Sequence, residues 1–413
     1  MNKIIETVFG KAYHPVIKYL RNRPEDANKL IKTSFSETEI RKNRIYVDIT
    51  QVFIKDVGTG VQRVTNNILV NFEKMSSDYD IVKVYLDEKK GVFDCESKSP
   101  VSFIRGDIFF ELDLNYVLFI RYAAFFRKLM KKGVKVSVFI HDLIPIRYPQ
   151  FFDISTCKIQ LKWMKVCIRL NQIIANSEAT IKDVENFINE NPFYKKNKNI
   201  QLDYSLLGCD FSAKPMECPE KNSKRLSFLM VSTVDRRKNY KQAVHAFSLL
   251  WESGYDVELK IVGRPGWCCE DTIELLENHP ELGKRLFWYK SGISDEELAK
   301  LYSETDAVIF ASLAEGFGLA ITEGAYYKKP LILRNLSVFM EIAGDNALYF
   351  NGLEPEDLAE AVEEWIKLYE LGQLPDSSKI KLRTWQECTI DVYNALIKKC
   401  KIKPLKIARL YLT

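Results

Sequence analysis

Two carboxylates separated by seven residues, Glu315 and Glu323, frame a glycine-bearing turn in the stretch SLAEGFGLAITEG, residues 312–324. Gly316 and Gly318 let the backbone turn tightly and leave amide N–H groups uncovered where a helix begins. Free amides and the positive end of a helix dipole make an anion seat suited to a diphosphate. Such a seat repels carboxylates, so the two glutamates are expected to serve hydroxyl groups on either side of it, those of a sugar and of a ribose. Asp235-Arg236-Arg237-Lys238-Asn239 places three cations at a strand-to-helix turn, a second element able to hold phosphate through charge-assisted hydrogen bonds. Taken singly, each feature also has a plain reading: solvated glutamates on an ordinary joint, and a solvated basic turn.

The elements that position these groups are legible from periodicity. Ala307, Val308, Ile309 and Phe310 form a short apolar run of the kind found in buried parallel strands. Leu319 to Tyr327 reads as a helix, with Pro330 stopping it. Leu226 to Thr233 is the strand before the basic turn, and Ala243, Val244, Phe247, Leu250 and Trp251 mark the buried face of the helix after it. Further strands are expected at 44–52, 107–112, 134–140, 172–177, 204–207, 257–262, 286–289 and 331–333, with capped helices after Ser177 and Ser294. This alternation implies α/β architecture with two doubly wound domains facing a cleft. The loop Gly58-Thr59-Gly60-Val61-Gln62-Arg63 joins a strand to a helix and can approach phosphate closely. It is not GxGxxG, because Arg63 stands at the third glycine, which counts against a dinucleotide site and an NAD-dependent oxidoreductase.

E-G-F-G-L-x-x-x-E, at Glu315 to Glu323, resembles the signature of retaining glycosyltransferases of family four, which have the GT-B fold of two Rossmann-like domains. The string TGVQRV from Thr59 and HDLIP from His141, followed by Tyr148, Pro149 and Phe151, resembles a bacterial mannosyl- and rhamnosyltransferase subgroup acting on surface polysaccharide such as O-antigen. The resemblance covers residues 44–395 with its motifs in order. It implies that Glu315, His141 and Lys238 are catalytic. Gly60, Arg237, Lys238, Gly316, Phe317, Gly318, Leu319 and Glu323 would bind the donor, with Glu323 on the ribose. Thr233 stands where the family usually has an arginine, and Arg237 is the candidate to supply that charge. A lone histidine after a strand is otherwise structural.

The implied reaction is transfer of a hexose with retention, most simply mannose from GDP-mannose, to a growing, lipid-linked bacterial glycan. A dTDP-rhamnose-dependent transferase and a non-catalytic sugar-binding or membrane-scaffold protein of the same fold are the alternatives. No D-x-D triplet suited to holding a metal on the diphosphate is evident, so no metal or other cofactor is expected. Nucleic acid is not an expected partner.

Composition is that of a soluble globular protein: 46% apolar and 28% charged residues, with 60 Lys and Arg against 55 Asp and Glu. The nine cysteines form no CxxC or Cys/His array, so neither zinc nor a disulfide framework is supported, and a reducing cytosol fits. No apolar run approaches the ~20 residues of a membrane span. The expected organisation is an N-terminal extension at 1–43, an acceptor-side domain at 44–215, a nucleotide-sugar domain at 216–390, and a basic helix or tail at 391–413. Two acid-free segments interest the membrane. Asn115 to Lys132 interleaves Tyr116, Phe119, Tyr122, Phe125 and Phe126 with Arg121, Arg127, Lys128, Lys131 and Lys132, and Leu396 to Thr413 carries six cations. Each reads either as a contact with the anionic inner face of the plasma membrane or, respectively, as a core helix with a snorkelling basic edge and a solvated tail.

Overall fold

A computed structural model describes residues 34–56, 58–75, 78–88, 90–209, 225–266 and 268–398. The expected domain boundary at 215/216, the extension up to residue 33 and the tail from 399 lie outside the described residues. Two β-sheets form the bodies. The first contains β1 (Arg44–Asp48), β2 (Asp80–Leu86), β3 (Val92–Asp94), β4 (Ile108–Glu111), β5 (Lys135–Ile140), β6 (Gln172–Ala175) and β7 (Gln201–Tyr204), in the order β3-β2-β1-β4-β5-β6-β7. All its pairings are parallel except β2 with β3.

The second contains β8 (Leu226–Val231), β9 (Val257–Val262), β10 (Leu286–Tyr289), β11 (Ala307–Phe310), β12 (Leu331–Arg334) and β13 (Leu348–Phe350), all parallel, in the order β10-β9-β8-β11-β12-β13. In both sheets the strand order reverses between the first and fourth strands, and ligands of open α/β sheets bind in the crevice beyond such a point.

The strands are buried because helices cover both faces. In the second domain the helix α6 (Tyr240–Glu252) presents Tyr240, Ala243, Val244, Phe247, Leu250 and Trp251 at the three-and-four spacing of an apolar stripe. That stripe meets the sheet beside Trp365, whose ring lies 5.1 Å from Phe228 of β8. In the first domain α1 (Gly60–Lys74) buries Val64, Ile68, Leu69 and Phe72.

Several boundaries differ from expectation. The strand expected at 44–52 ends at Asp48, and Thr50–Ile54 is helical. The 115–132 segment is two helices, α2 (Tyr116–Arg121) and α3 (Ala123–Lys131), and Phe119, Tyr122, Phe125 and Phe126 are all buried in the first domain's core. Its aromatics are therefore core residues with a cationic outer edge, and they do not face a bilayer. The strand expected at 204–207 forms at 201–204, because Gln201 to Tyr204 is the segment that registers with β6. Residues 34–43 are folded onto the first domain: Ser34 and Phe35 pair with Ser102 and Phe103, and Arg41 bonds Asp107 at 2.7 Å. The last described helix, α11 (Trp385–Ile397), starts before residue 391 and crosses back to pack on α1, burying Trp385, Val392 and Leu396 in the first domain's second cluster. Lys135 at the head of β5 donates to the Leu396 carbonyl at 2.7 Å, fixing that return. Strand β2 was not foreseen, although its Ile81, Val82 and Val84 carry a β-branched signal.

Candidate functional site

The loops leaving β8 and β11 meet at the second domain's strand-order reversal. After β8, the Asp235 carboxylate accepts the Arg237 amide at 3.1 Å and caps a short 3-10 turn over Arg236–Lys238. Asn239, in the left-handed region at φ 55°, then redirects the chain into α6. This turn leaves Arg236 exposed and aims Arg237 and Lys238 at the neighbouring loop. Arg237 Nη1 contacts Glu315 Oε2 at 2.8 Å and donates to the Ala314 carbonyl at 3.0 Å, while Lys238 Nζ donates to Glu315 Oε1. The Leu313 amide donates to the Arg237 carbonyl at 2.7 Å, so the two loops are joined through main chain as well.

Glu315 is 8% exposed. Burial alone would favour its neutral form, but the Lys238 and Arg237 charges outweigh that and hold its carboxyl at about 2. Lys238 is pushed down from the ordinary lysine range by burial and by Arg237 beside it, against the pull of Glu315. Three largely covered charges thus form one tight cluster. Breaking one partner out of such a cluster leaves an uncompensated charge.

Past Glu315 the chain touches the other domain. A Cβ on Gly316 would lie 2.1 Å from the His141 carbonyl oxygen, so only glycine permits this approach. The Gly316 carbonyl accepts from Ser177 Oγ at 2.8 Å and from Thr180 Oγ1 at 3.1 Å, both at the start of α5 (Glu178–Glu190). The Phe317 ring is buried in a cluster with Phe139 and Ile174 of the first domain, and Leu319 packs at its margin, which leaves main chain as what these two offer a ligand. Gly318 sits at φ 97° and starts α8 (Leu319–Tyr326) with no side-chain cap, so no side chain competes for the first-turn amides.

Glu323, on α8, is 6% exposed. Tyr302 donates to its Oε2 at 3.0 Å, and Arg63 of α1 reaches its Oε1 at 2.8 Å from across the cleft. Burial raises this carboxyl, with Arg63 opposing. Neither Arg63 nor Tyr302 was singled out as a partner from sequence; Arg63 stood in TGVQRV but was noted only as a missing glycine.

On the first domain's side, Thr59 and Gln62 form a reciprocal capping box at the start of α1. A Cβ on Gly60 would meet nothing within 4 Å, so packing does not require that glycine. His141, just beyond β5, is 8% exposed, with its ring 5.1 Å from Phe139. Burial lowers it to about 4, against a hydrogen bond to the Leu112 carbonyl, and its Nε2 has no partner among the described residues. Burial thus favours the neutral imidazole, with Nε2 unpartnered among the described residues.

Three buried carboxylates, Asp48, Glu111 and Asp113, gather at the first domain's own strand-order reversal, a cluster that sequence reading did not single out. Burial raises all three, Asp48 to about 7. The one D-x-D string, Asp78-Tyr79-Asp80, opens β2 at the sheet edge opposite the cleft.

Residues 215–377 match the family model described as glycosyl transferases group 1. Over 371 residues the chain is 34% identical to the serotype-specific mannosyltransferase WbdA of Escherichia coli, covering 83% of this chain and 45% of that protein. It thus spans about half the length of the curated relatives it matches. The O-antigen chain mannosyltransferase RfbU of Salmonella typhimurium is 23% identical over 249 residues, 58% of this chain and 62% of that one. Among solved structures, sucrose-phosphate synthase from Thermosynechococcus elongatus superposes with a TM-score of 0.58 at 15% identity, covering 86% of this chain and 95% of that one. Anabaena HepE in complex with UDP and glucose gives 0.56 at 13%, with the same coverage. These two share the fold.

Proposed function

We propose that this chain, whose residues 215–377 match the glycosyl transferases group 1 model and whose fold is shared with sucrose-phosphate synthase, transfers a hexose, mannose from GDP-mannose, to a growing bacterial surface glycan with retention at the anomeric carbon. The observation that carries this reading is the Glu315–Arg237–Lys238 cluster beside an uncapped helix start. A carboxylate held between two cations is a place-holder for an anion. An incoming diphosphate competes for Arg237 and Lys238, and Glu315, released from them, turns to the hydroxyls of the donor sugar. Glu323 takes the ribose, and neutral His141 meets the sugar from the opposite domain through its free Nε2.

As the glycosidic bond to the diphosphate breaks, negative charge builds on the leaving oxygen. Arg237, Lys238 and the amides at the start of α8 lie where that charge is met by preorganised donors. The acceptor hydroxyl attacks from the leaving group's side, and a diphosphate oxygen takes its proton, so no protein nucleophile is assigned. We assign no metal to these steps, the cations of the turn supplying the neutralising charge. The WbdA relative is named a mannosyltransferase, which supports the choice of mannose. The acceptor is lipid-linked, and the protein works peripherally on the cytoplasmic face of the membrane. Among the described residues no helix is long and apolar enough to cross a bilayer.

The test is hydrolysis and transfer across a panel of nucleotide sugars, with the configuration of the product read by NMR. GDP-mannose turned over to an α-linked product, in the presence of a chelator, is the expected result. Turnover of dTDP-rhamnose instead would reassign the donor, an inverted product would remove the retaining mechanism, and inertness toward every donor would return the chain to a sugar-binding role. Within this reading Glu323→Ala raises the donor KM, whereas Glu315→Ala lowers kcat at saturating donor.

A further inference from the structure

The first acid-free segment and the three described residues of the second, 396–398, lie far apart in sequence, yet the fold brings them to one edge of the first domain. α3 ends at Lys131, where β5 is about to begin, and α11 ends beside Lys135, whose Nζ donates to the Leu396 carbonyl at 2.7 Å. That edge carries the N-terminal ends of β5, β6 and β7. The cleft lies at their C-terminal ends, roughly 20 Å away along the six residues of β5.

Between α3, the turn after α4 (Ile154–Cys167) and the loop 191–199 is an open pocket of about 440 Å³, lined by Arg127, Met130, Lys131, Arg169, Lys195 and Lys196 together with Asn171 and Asn197. Among the described residues no carboxylate lines it. The loop is built rather than loose. The Asn197 amide donates to the Ile168 carbonyl at 2.8 Å, Asn197 Nδ2 donates to the Leu170 carbonyl at 2.8 Å, and Arg169 Nε donates to the Lys195 carbonyl at 3.2 Å. Lys165 sits 4.0 Å above the Tyr194 ring, bracing the loop from below. Carboxylates on the adjoining elements are engaged elsewhere: Glu37 by Lys132, Glu190 by Arg147 and Asp203 by Lys398. At the loop's tip Phe193 is 73% exposed. Beyond Lys398 the sequence continues with Lys399, Lys401, Lys403, Lys406 and Arg409 and no acid.

We propose that this edge of the first domain docks on an anionic phospholipid surface, with Arg127, Lys131, Arg169, Lys195 and Lys196 receiving a phosphate head group and Phe193 entering the interface. The proposal rests on the peripheral-membrane reading above and replaces the aromatic helix, whose rings are buried, by a different surface. A concave set of cations without an acid fits a doubly oxygenated phosphate, and an exposed aromatic beside it fits the boundary between head groups and acyl chains. The dock stands at the opposite end of the strands from the cleft, so the reacting end of the acceptor is a glycan extended away from its lipid.

Full-length protein is sedimented with phosphatidylglycerol/phosphatidylcholine vesicles and with pure phosphatidylcholine, at low and high salt. Lys195→Ser with Lys196→Ser lowers partitioning roughly 25-fold, about five-fold per cation, and Phe193→Ser lowers it further. A charge-matched pair outside the pocket, Lys284→Ser with Lys381→Ser, leaves it within about two-fold, since screening over a Debye length of ~8 Å confines each cation's effect to its neighbourhood. Binding to anionic vesicles that the loop variants leave untouched overturns the dock while the peripheral reading stands; loss of binding only on deletion of 399–413 does the same. Absence of binding to any vesicle removes both. Binding of inorganic phosphate that Lys195→Ser with Lys196→Ser abolishes, without binding of vesicles, makes the pocket a soluble-anion site and overturns the proposal. Unchanged donor hydrolysis in the loop variants shows that they are folded.

Discussion

Arg63 Nη1 and Glu323 Oε1 stand 2.8 Å apart although 260 residues separate them in sequence, so the cleft is bridged by an ion pair between its two walls. Glu323 is buried and its carboxyl is pushed up by that burial; Arg63 is the charge that opposes the rise. Removing it leaves a buried carboxylate that takes up a proton more readily and holds a ribose hydroxyl less well. Arg63→Ala is expected to raise the donor KM about ten-fold, the worth of one charge-assisted hydrogen bond, with the increase growing as pH falls. Initial rates against donor concentration at several pH values read both effects. A KM that stays at the wild-type value across the series would show that the bridge plays no part in donor binding.

The basic turn offers a sharper comparison because its three cations differ in placement. Arg237 and Lys238 are clustered with Glu315, whereas Arg236 is exposed. Lys238→Ala and Arg237→Ala are expected to lower kcat by about 100- to 1000-fold, the usual loss on removing one preorganised donor to developing charge. Arg236→Ala, a surface change, is expected to cost little. Equal and mild losses at all three positions would make the turn a solvated surface.

Local signals carried much of this site, and contacts between distant segments carried the rest. The Glu315–Glu323 spacing, the strand before it and the basic turn are each read from adjacent residues, and the structure sets Glu315 against Arg237 and Lys238. Sequence preference for Arg237 over Arg236 matches the side chain that turns inward. What periodicity could not reveal is pairing across the cleft: Arg63 with Glu323, or Ser177 and Thr180 with the Gly316 carbonyl. The same limit left the basic aromatic segment with two readings. Its i, i+3, i+4 pattern is common to a core helix and to an interfacial one, and only tertiary packing of Phe119, Tyr122 and Phe126 decides between them.

Two buried groups in the first domain titrate in opposite senses, which gives a stability test independent of activity. His141 is held at about 4, below its ordinary 6.5, so its contribution is present above about 6.5 and is lost as pH falls through 4. Asp48 is raised from 3.8 to about 7 by burial, so its contribution is present below about 3.8 and is lost as pH rises through 7. Asp48→Asn keeps an acceptor for the Thr50 amide, 3.0 Å away, without the charge. It is expected to stabilise the protein above pH ~7 by up to ~4 kcal/mol and to change little near pH ~4. Urea midpoints of wild type and variant across pH read the difference; parallel curves would mean that Asp48 is ionised in the fold.

Gly316 is the point where the two domains meet main chain to main chain. A methyl group there would sit 2.1 Å from the His141 carbonyl oxygen and 2.9 Å from the Asp142 Cβ, and neither a carbonyl nor a Cβ fixed to the backbone can yield that distance cheaply. The turn would have to withdraw from the first domain, taking the Gly316 carbonyl away from Ser177 and Thr180. Glu315, one residue earlier, would be pulled from the histidine wall while keeping its contacts to Arg237 and Lys238 within its own domain. Gly316→Ala should therefore retain nucleoside diphosphate binding, which rests on the second domain, and lose transfer by about 100-fold, since a misplacement of about 1 Å is enough for such a loss. Calorimetry with the diphosphate, set beside transfer kinetics on the same preparation, separates the two. Parallel loss of binding and turnover would mean that the substitution disturbs the donor site itself, and wild-type transfer would mean that the closed contact with His141 is not part of the reacting state.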